Sequence, residues 1–63
     1  MRYLFIKSCT DPLMWYVEKI GQCVPFLYED EEYYWSREPA GYKNIVFKKD
    51  AQIVETQLSL VKK

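Results

Sequence analysis

The stretch "NIVFKKDAQIVE", residues 44–55, is the clearest indication of the fold class. Its two ends are rich in β-branched and aromatic residues, which are typical of strands. Between them the residues "KDA", 49–51, leave room for only a short corner. The stretch therefore predicts one strand over residues 44–48, a corner, and a last strand over residues 52–55.

Three segments upstream have the same strand-like composition, namely "YLFIK" (3–7), "CVPFLY" (23–28) and "YYWSR" (33–37). Side chains alternate along a strand, so Leu4 and Ile6 are expected to share one face of the first segment. Pro25 cannot donate a hydrogen bond to a neighbouring strand, which predicts an edge or a bulge at that point. The segment "EPAGY", 38–42, has the composition of a turn.

Residues 13–20, "LMWYVEKI", allow two interpretations. The spacing of Leu13, Tyr16 and Ile20 fits one short amphipathic helix. Tryptophan, tyrosine and valine are poor helix formers, however, and the run is short for a stable helix. We expect an irregular arm that ends near Gly21, with room for one short helical turn.

A chain of 63 residues forms at most one domain. Several short strands separated by turns predict a mostly β fold, and closure into a small five-stranded barrel removes exposed strand edges. We expect this barrel to occupy residues 1–55. The segment "TQLSLVKK", 56–63, alternates only loosely, and we expect it to fray or to add a strand.

The layout from Met14 to Glu55 resembles the SH3-like small-barrel class, including the KOW-type domains. The resemblance lies in the order of "KIGQ", "CVPFLY", "YYWSR" and "NIVFKKDAQIV" along the chain. It implies the SH3-like barrel fold and no functional residues, because KOW domains usually have a glycine further into the second strand, where this chain has Pro25. In its size and aromatic content the chain also looks like small accessory proteins of tailed bacteriophages.

The composition argues against several classes of function. Nine acidic and nine basic residues balance, whereas nucleic-acid-coating proteins carry a basic excess. The chain has no histidine, so the commonest general base is missing, and we predict no enzyme, no cofactor and no metal. Cys9 and Cys23 are too few for a disulfide scaffold, and we expect reduced, buried thiols in a cytoplasmic protein. The opening "MRYLFIKS" is too short and too polar to target or span a membrane.

The most unusual local composition is in "EDEEYYWSREP", residues 29–39, where acidic residues are followed directly by aromatic ones. Its four acids predict an exposed connection that steers a basic partner. In the strand that follows, Tyr33, Trp35 and Arg37 share one face, and Tyr34 and Ser36 share the other. One of these faces is expected to hold the core and the other to meet a partner, and the sequence leaves open whether Trp35 or Tyr34 faces out. Exposed aromatic residues and arginine are enriched at binding hot spots. The candidate partner-binding residues are Tyr16, Glu31, Glu32, Tyr34, Arg37 and Tyr42.

Three functions are ranked on these grounds. The first is a non-enzymatic protein-binding module with another, basic protein as its partner, in the form of a phage-encoded modulator acting in the host cytoplasm. The second is a small-barrel nucleic-acid-binding protein, in which lysines and Arg37 meet phosphate while Tyr33, Tyr34 or Trp35 stack on bases. The third is a structural subunit of a larger assembly that docks through residues 56–63 as an added strand.

Overall fold

The computed structural model describes residues 1–55, which are mostly β, as predicted. Within these residues the chain forms six strands: β1 (Arg2–Ile6), β2 (Cys23–Pro25), β3 (Tyr28–Glu29), β4 (Tyr33–Arg37), β5 (Lys43–Phe47) and β6 (Ala51–Glu55). Two one-turn 3-10 helices span Val17–Lys19 and Lys48–Asp50. The expectations for residues 56–63 lie outside the described residues.

The strands form two antiparallel sheets of three strands each. The first sheet has the order β2-β1-β6, and the second sheet has the order β3-β4-β5. The predicted closed barrel of five strands is therefore wrong for residues 1–55, which hold six strands in two separate sheets. The predicted bounds of β1, β4, β5 and β6 agree with the structure to within one residue.

The predicted strand over residues 23–28 is divided into β2 and β3. Pro25 ends β2, since it has no N–H to continue the ladder. β2 pairs with β1 in the first sheet, and Tyr28 of β3 pairs with Trp35 in the second sheet. Between them the Leu27 N–H donates to the Trp35 carbonyl at 2.9 Å. One bent segment thus supplies an edge strand to each sheet.

The turn between β4 and β5 forms where its composition predicted. The Gly41 N–H donates to the Glu38 carbonyl, and the Glu38 N–H donates to the Tyr42 carbonyl, each at 2.8 Å. Gly41 has a φ of 100°, a backbone conformation that costs glycine little and other residues much. This turn therefore depends on the glycine.

The core lies between the two sheets. Its buried apolar residues are Leu4, Ile6, Tyr16, Val24, Val46 and Ala51. Leu4 and Ile6 share one face of β1, as predicted, and that face points into the core. Tyr16 corrects a prediction, because a side chain that is 0% exposed cannot contact a partner. Its ring is large enough to fill the space between the sheets, and its hydroxyl finds a buried partner in Asp50.

The arm between β1 and β2 is irregular, as expected, and contains the short helix Val17–Lys19. Asp50, which is fully buried, fixes this arm to the corner before β6. Its carboxylate accepts hydrogen bonds from Ser8 Oγ at 3.0 Å, Thr10 Oγ1 at 2.6 Å and the Tyr16 hydroxyl at 2.5 Å. A Thr10 N–H bond adds to them. The arm is therefore held by a polar cluster rather than by strand pairing.

The same arm also covers the free edge of β5. The Trp15 Nε1–H donates to the Ile45 carbonyl at 2.8 Å, and the Phe47 N–H donates to the Tyr16 hydroxyl at 3.3 Å. An unprotected edge strand is a template for pairing with another chain. Side chains of the arm block this edge without adding a strand.

Cys9 and Cys23 both have free thiols in the part of the chain that the structure describes. Their predicted burial is wrong for Cys23, which is exposed, whereas Cys9 is half-buried. The reason is the register of β2. Val24 points into the core, so its neighbour Cys23 points to the outside.

Candidate functional site

The outer face of the second sheet is the main candidate site. Ser36 and Val46 are fully buried, so their neighbours along β4 and β5 point away from the core. Register places Tyr28, Trp35 and Ile45 side by side, and Tyr33 beside Phe47. We call the surface formed by these side chains the aromatic face: Tyr28, Tyr33, Trp35, Ile45 and Phe47.

The rings of the aromatic face contact one another. Tyr28 and Trp35 are stacked, with ring centroids 5.8 Å apart and planes 18° apart. Tyr33 and Phe47 are 5.9 Å apart. Tyr28 is 45% exposed, and the other four residues are half-buried. The face is therefore preorganised, apolar and open to water.

In β4 the predicted site residue Tyr34 lies on the inner face, and Trp35 lies on the outer face. Tyr34 points inward, where it packs against the core and meets Phe26 edge-on at 6.1 Å. Trp35 points outward, and its Nε1–H donates to Asp30 Oδ2 at 2.9 Å. A tryptophan N–H needs a polar partner, which the surface supplies here. The fully buried Ser36 shares the inner face with Tyr34.

One end of the aromatic face carries the acidic run. Asp30 caps the turn before β4, because its carboxylate accepts bonds from the Glu32 N–H at 2.9 Å and the Tyr33 N–H at 2.7 Å. The bond from Trp35, followed by these two backbone bonds, lowers the pKa of Asp30. Glu29 forms an ion pair with Lys48 at 3.7 Å.

Two acids of the run are left for a partner. The carboxylates of Glu31 and Glu32 are exposed and make no hydrogen bond or ion pair within residues 1–55. Only two of the four acidic residues that were expected to attract a basic partner therefore remain available for one. Both stay close to the aromatic face, since Tyr33 follows them directly.

The opposite end of the aromatic face is basic. Arg37 and Lys43 face each other across β4 and β5, and both are exposed. Arg37 Nη1 donates to the Gly41 carbonyl at 2.8 Å, and the Lys43 ammonium lies 5.6 Å from the Tyr28 ring centroid. Tyr42, which is 71% exposed, lies in the adjoining turn. About 13 Å of strand separate the acidic end from the basic end.

The structure brings together four of the six predicted site residues. Glu31 and Glu32 lie at one end of the aromatic face, and Arg37 and Tyr42 lie at the other. Tyr16 and Tyr34 belong to the interior instead. The predicted set missed the middle of the face, chiefly Tyr28 and Trp35. Pairing between "CVPFLY" and "YYWSR" was the signal that could have found them, because it places the two rings side by side.

Comparison with known proteins finds no matching protein family, no similar curated protein and no similar solved structure. Residues 1–55 contain no group of three or more His, Cys, Asp or Glu side chains that could hold a metal ion. None of their helices has the length and hydropathy to cross a bilayer.

Proposed function

We propose that this chain is a non-enzymatic protein-binding module and that the aromatic face is its contact surface. The observation that carries the proposal is the exposed Tyr28–Trp35 stack at the centre of an outward sheet face. Tyrosine and tryptophan contribute most of the affinity at many protein interfaces. Rings that are already held against each other lose little conformational freedom on binding.

The charges around the aromatic face define the chemistry of the partner. An apolar patch on the partner covers the rings, a basic group lies near Glu31 and Glu32, and an acidic group lies near Arg37. Complementary charges of this kind speed association and set orientation more than they add affinity. The partner is therefore a protein surface with a polarised charge rather than a uniformly basic one.

We propose an open relative of the SH3-like class as the fold. The two sheet orders, the long arm after β1 and the one-turn helix before β6 support this assignment. Modulation of a host protein by a phage-encoded chain, in the host cytoplasm, stays a prediction that rests on chain size and aromatic content.

Binding of nucleic acid is the second candidate function. The observation in its favour is that Arg37 and Lys43 lie on the same sheet face as Tyr28 and Trp35. A base needs a free ring face for stacking. Here the stack covers one face of each ring, Lys43 lies over the Tyr28 ring, and acids border the same sheet face, so the protein partner is favoured.

Affinity capture with a matched pair of variants tests the proposal. The bait proteins are the tagged full chain, Tyr28→Ala, and Leu13→Ala as a control that changes a 92% exposed residue of the arm. We expect a stoichiometric protein from a bacterial lysate to be retained by wild type and Leu13→Ala and weakened about tenfold or more by Tyr28→Ala. Equal retention by all three baits, or no partner at all, contradicts the proposal.

A titration with labelled single- and double-stranded oligonucleotides separates the two candidates. At about 50 mM salt, phosphate contacts are strong enough to reveal weak binding. We expect no binding. Oligonucleotide binding that Tyr28→Ala abolishes would replace the protein partner by a nucleic acid on the same face.

A further inference from the structure

A second surface feature lies where the two sheets separate. β3 pairs with Tyr34 and Trp35 of β4, so the end of β4 at Ser36 and Arg37 has no strand partner on that side. Between this end of β4, strand β2 and the arm lies a groove of about 230 Å³. We call it the end groove; its lining includes Trp15, Lys19, Cys23, Pro25, Arg37 and Pro39.

The apolar walls of the end groove are rigid. Trp15 is held by its bond to the Ile45 carbonyl and by an edge-on contact with Tyr16 at 5.7 Å. Pro25 and Pro39 have fixed φ angles and almost no side-chain freedom. The side chains of this groove therefore lose little conformational entropy when a ligand binds, and this makes binding more favourable.

The lining of the end groove carries two positive charges, on Lys19 and Arg37, against one negative charge on Glu38. Glu38 is half-buried, and its Oε2 accepts a bond from Asn44 Nδ2 at 2.5 Å. Lys19 makes no ion pair within residues 1–55. Arg37 uses one nitrogen for the Gly41 carbonyl and has donors left over. A carboxylate bound beside the apolar walls would meet both cations.

The size of the end groove points to a peptide. Sites for drug-sized ligands usually enclose about 300–1,000 Å³, and this groove is smaller. It has room for one or two side chains of an extended segment. We propose that the end groove binds a short segment of a second protein in which an acidic residue follows an aliphatic one. The aliphatic side chain lies against Trp15 and the prolines, and the carboxylate lies between Lys19 and Arg37.

The end groove shares Arg37 with the basic end of the aromatic face, and the two indole N–H signals separate binding at the two sites. Trp15 reports on the end groove and Trp35 on the aromatic face. The full chain, labelled with ¹⁵N, is titrated with the blocked tripeptides acetyl-Leu-Glu-Leu-amide, acetyl-Leu-Gln-Leu-amide and acetyl-Leu-Lys-Leu-amide. We expect the glutamate peptide to shift the Trp15 indole signal and the Cys23 amide but not the Trp35 indole.

The glutamine peptide is expected to bind about fivefold more weakly, as the loss of two rim ion pairs predicts. The lysine peptide is expected to bind more weakly still. No Trp15 shift with the glutamate peptide, equal shifts with all three peptides, or shifts confined to Trp35 would each overturn the proposal.

Two variants locate the charge preference. Lys19→Gln is expected to reduce the fivefold difference between the glutamate and glutamine peptides to about twofold, because the ion pair with Arg37 remains. Lys7→Gln, which removes the same charge from an exposed site outside the groove lining, is expected to leave that difference unchanged. An equal effect of the two substitutions would show a long-range charge effect and contradict the assigned site.

Discussion

Two aspartates organise this small protein in different ways. Asp50 is fully buried, and its partners lie between 34 and 42 residues away in the sequence. Asp30 is exposed, and its partners lie within five residues. Asp50 therefore joins distant segments of the chain, whereas Asp30 shapes one turn and orients one tryptophan.

The pKa values of both carboxyl groups fall below the usual range, but for different reasons. Burial raises the pKa of Asp50, and the hydrogen bonds from Thr10, Tyr16 and Ser8 outweigh that effect. At Asp30 the bond from Trp35 is the largest cause. Similar carboxylate chemistry therefore sets the tertiary arrangement at Asp50 and local geometry at Asp30.

The largest expected effect is that of Asp50→Ala. The substitution leaves Ser8, Thr10 and Tyr16 without their buried acceptor, and hydrogen bonds to charged groups contribute more than neutral ones. We expect the free energy of unfolding to fall by about 3–5 kcal/mol, close to the whole stability of a small domain. Urea denaturation followed by circular dichroism measures it. A loss below about 1 kcal/mol would show that the arm is held by other contacts.

Tyr16→Phe removes one member of the same cluster and keeps the ring. Asp50 then loses one donor, and the Phe47 N–H loses its acceptor. We expect a loss of about 1–3 kcal/mol in urea denaturation. The control is Tyr42→Phe, because Tyr42 is 71% exposed and its loss is expected to stay within about 0.5 kcal/mol. Equal losses would contradict a special role for the buried hydroxyl.

Acid titration compares the buried carboxylate with a free one. Because the pKa of Asp50 is lower in the folded protein, the unfolded chain takes up protons first as the pH falls. Asp50 therefore stabilises the fold above its ordinary pKa of 3.8, and this stability is lost as the pH falls through the lowered value.

We expect the urea midpoint of wild type to drop between about pH 5 and pH 2. In Glu31→Gln the urea midpoint is expected to fall as much as in wild type. In Asp50→Asn it is expected to fall less, because the buried carboxylate is missing. An unchanged drop in Asp50→Asn would assign the acid sensitivity to other groups.

The smallest expected effect on stability is that of Asp30→Ala. Its bonds are local and exposed, so we expect a loss smaller than that of Tyr16→Phe. The clearer readout is the indole N–H signal of Trp35, which should move towards the position of a water-exposed indole as its acceptor is lost. Glu31→Ala is the matched control. A Trp35 signal that moves equally in both variants would contradict the assigned hydrogen bond.

Much of the fold could be predicted from local patterns. Residue composition predicted the bounds of β1, β4, β5 and β6 to within one residue, because β-branched and aromatic runs favour strands and turn residues end them. Pro25 predicted a break, and the chain divides there into β2 and β3. What alternation could not show is which face of β4 points inward, because apolar side chains stand on both sides of β4 and β5.

The sequence predicted the charged residues at the two ends of the aromatic face but not the aromatic rings at its centre. Charged and turn residues such as Glu31 and Arg37 are exposed in almost any arrangement, so their position follows from their type. Tyr16 and Trp35 are amphipathic rings whose place depends on what lies opposite. The buried acceptor on Asp50 draws Tyr16 inward, and the acceptor on Asp30 holds Trp35 at the surface.

A small, mostly β domain, its strand bounds, its turns and an exposed acidic connection could all be predicted from local sequence. These features follow from steric preferences and hydration that act over a few residues. Three features appear only in the folded chain: two sheets form instead of a closed barrel, the arm docks on Asp50, and the rings of the second sheet face water. Each of these depends on contacts between residues far apart in the chain, whose pairing no local pattern specifies.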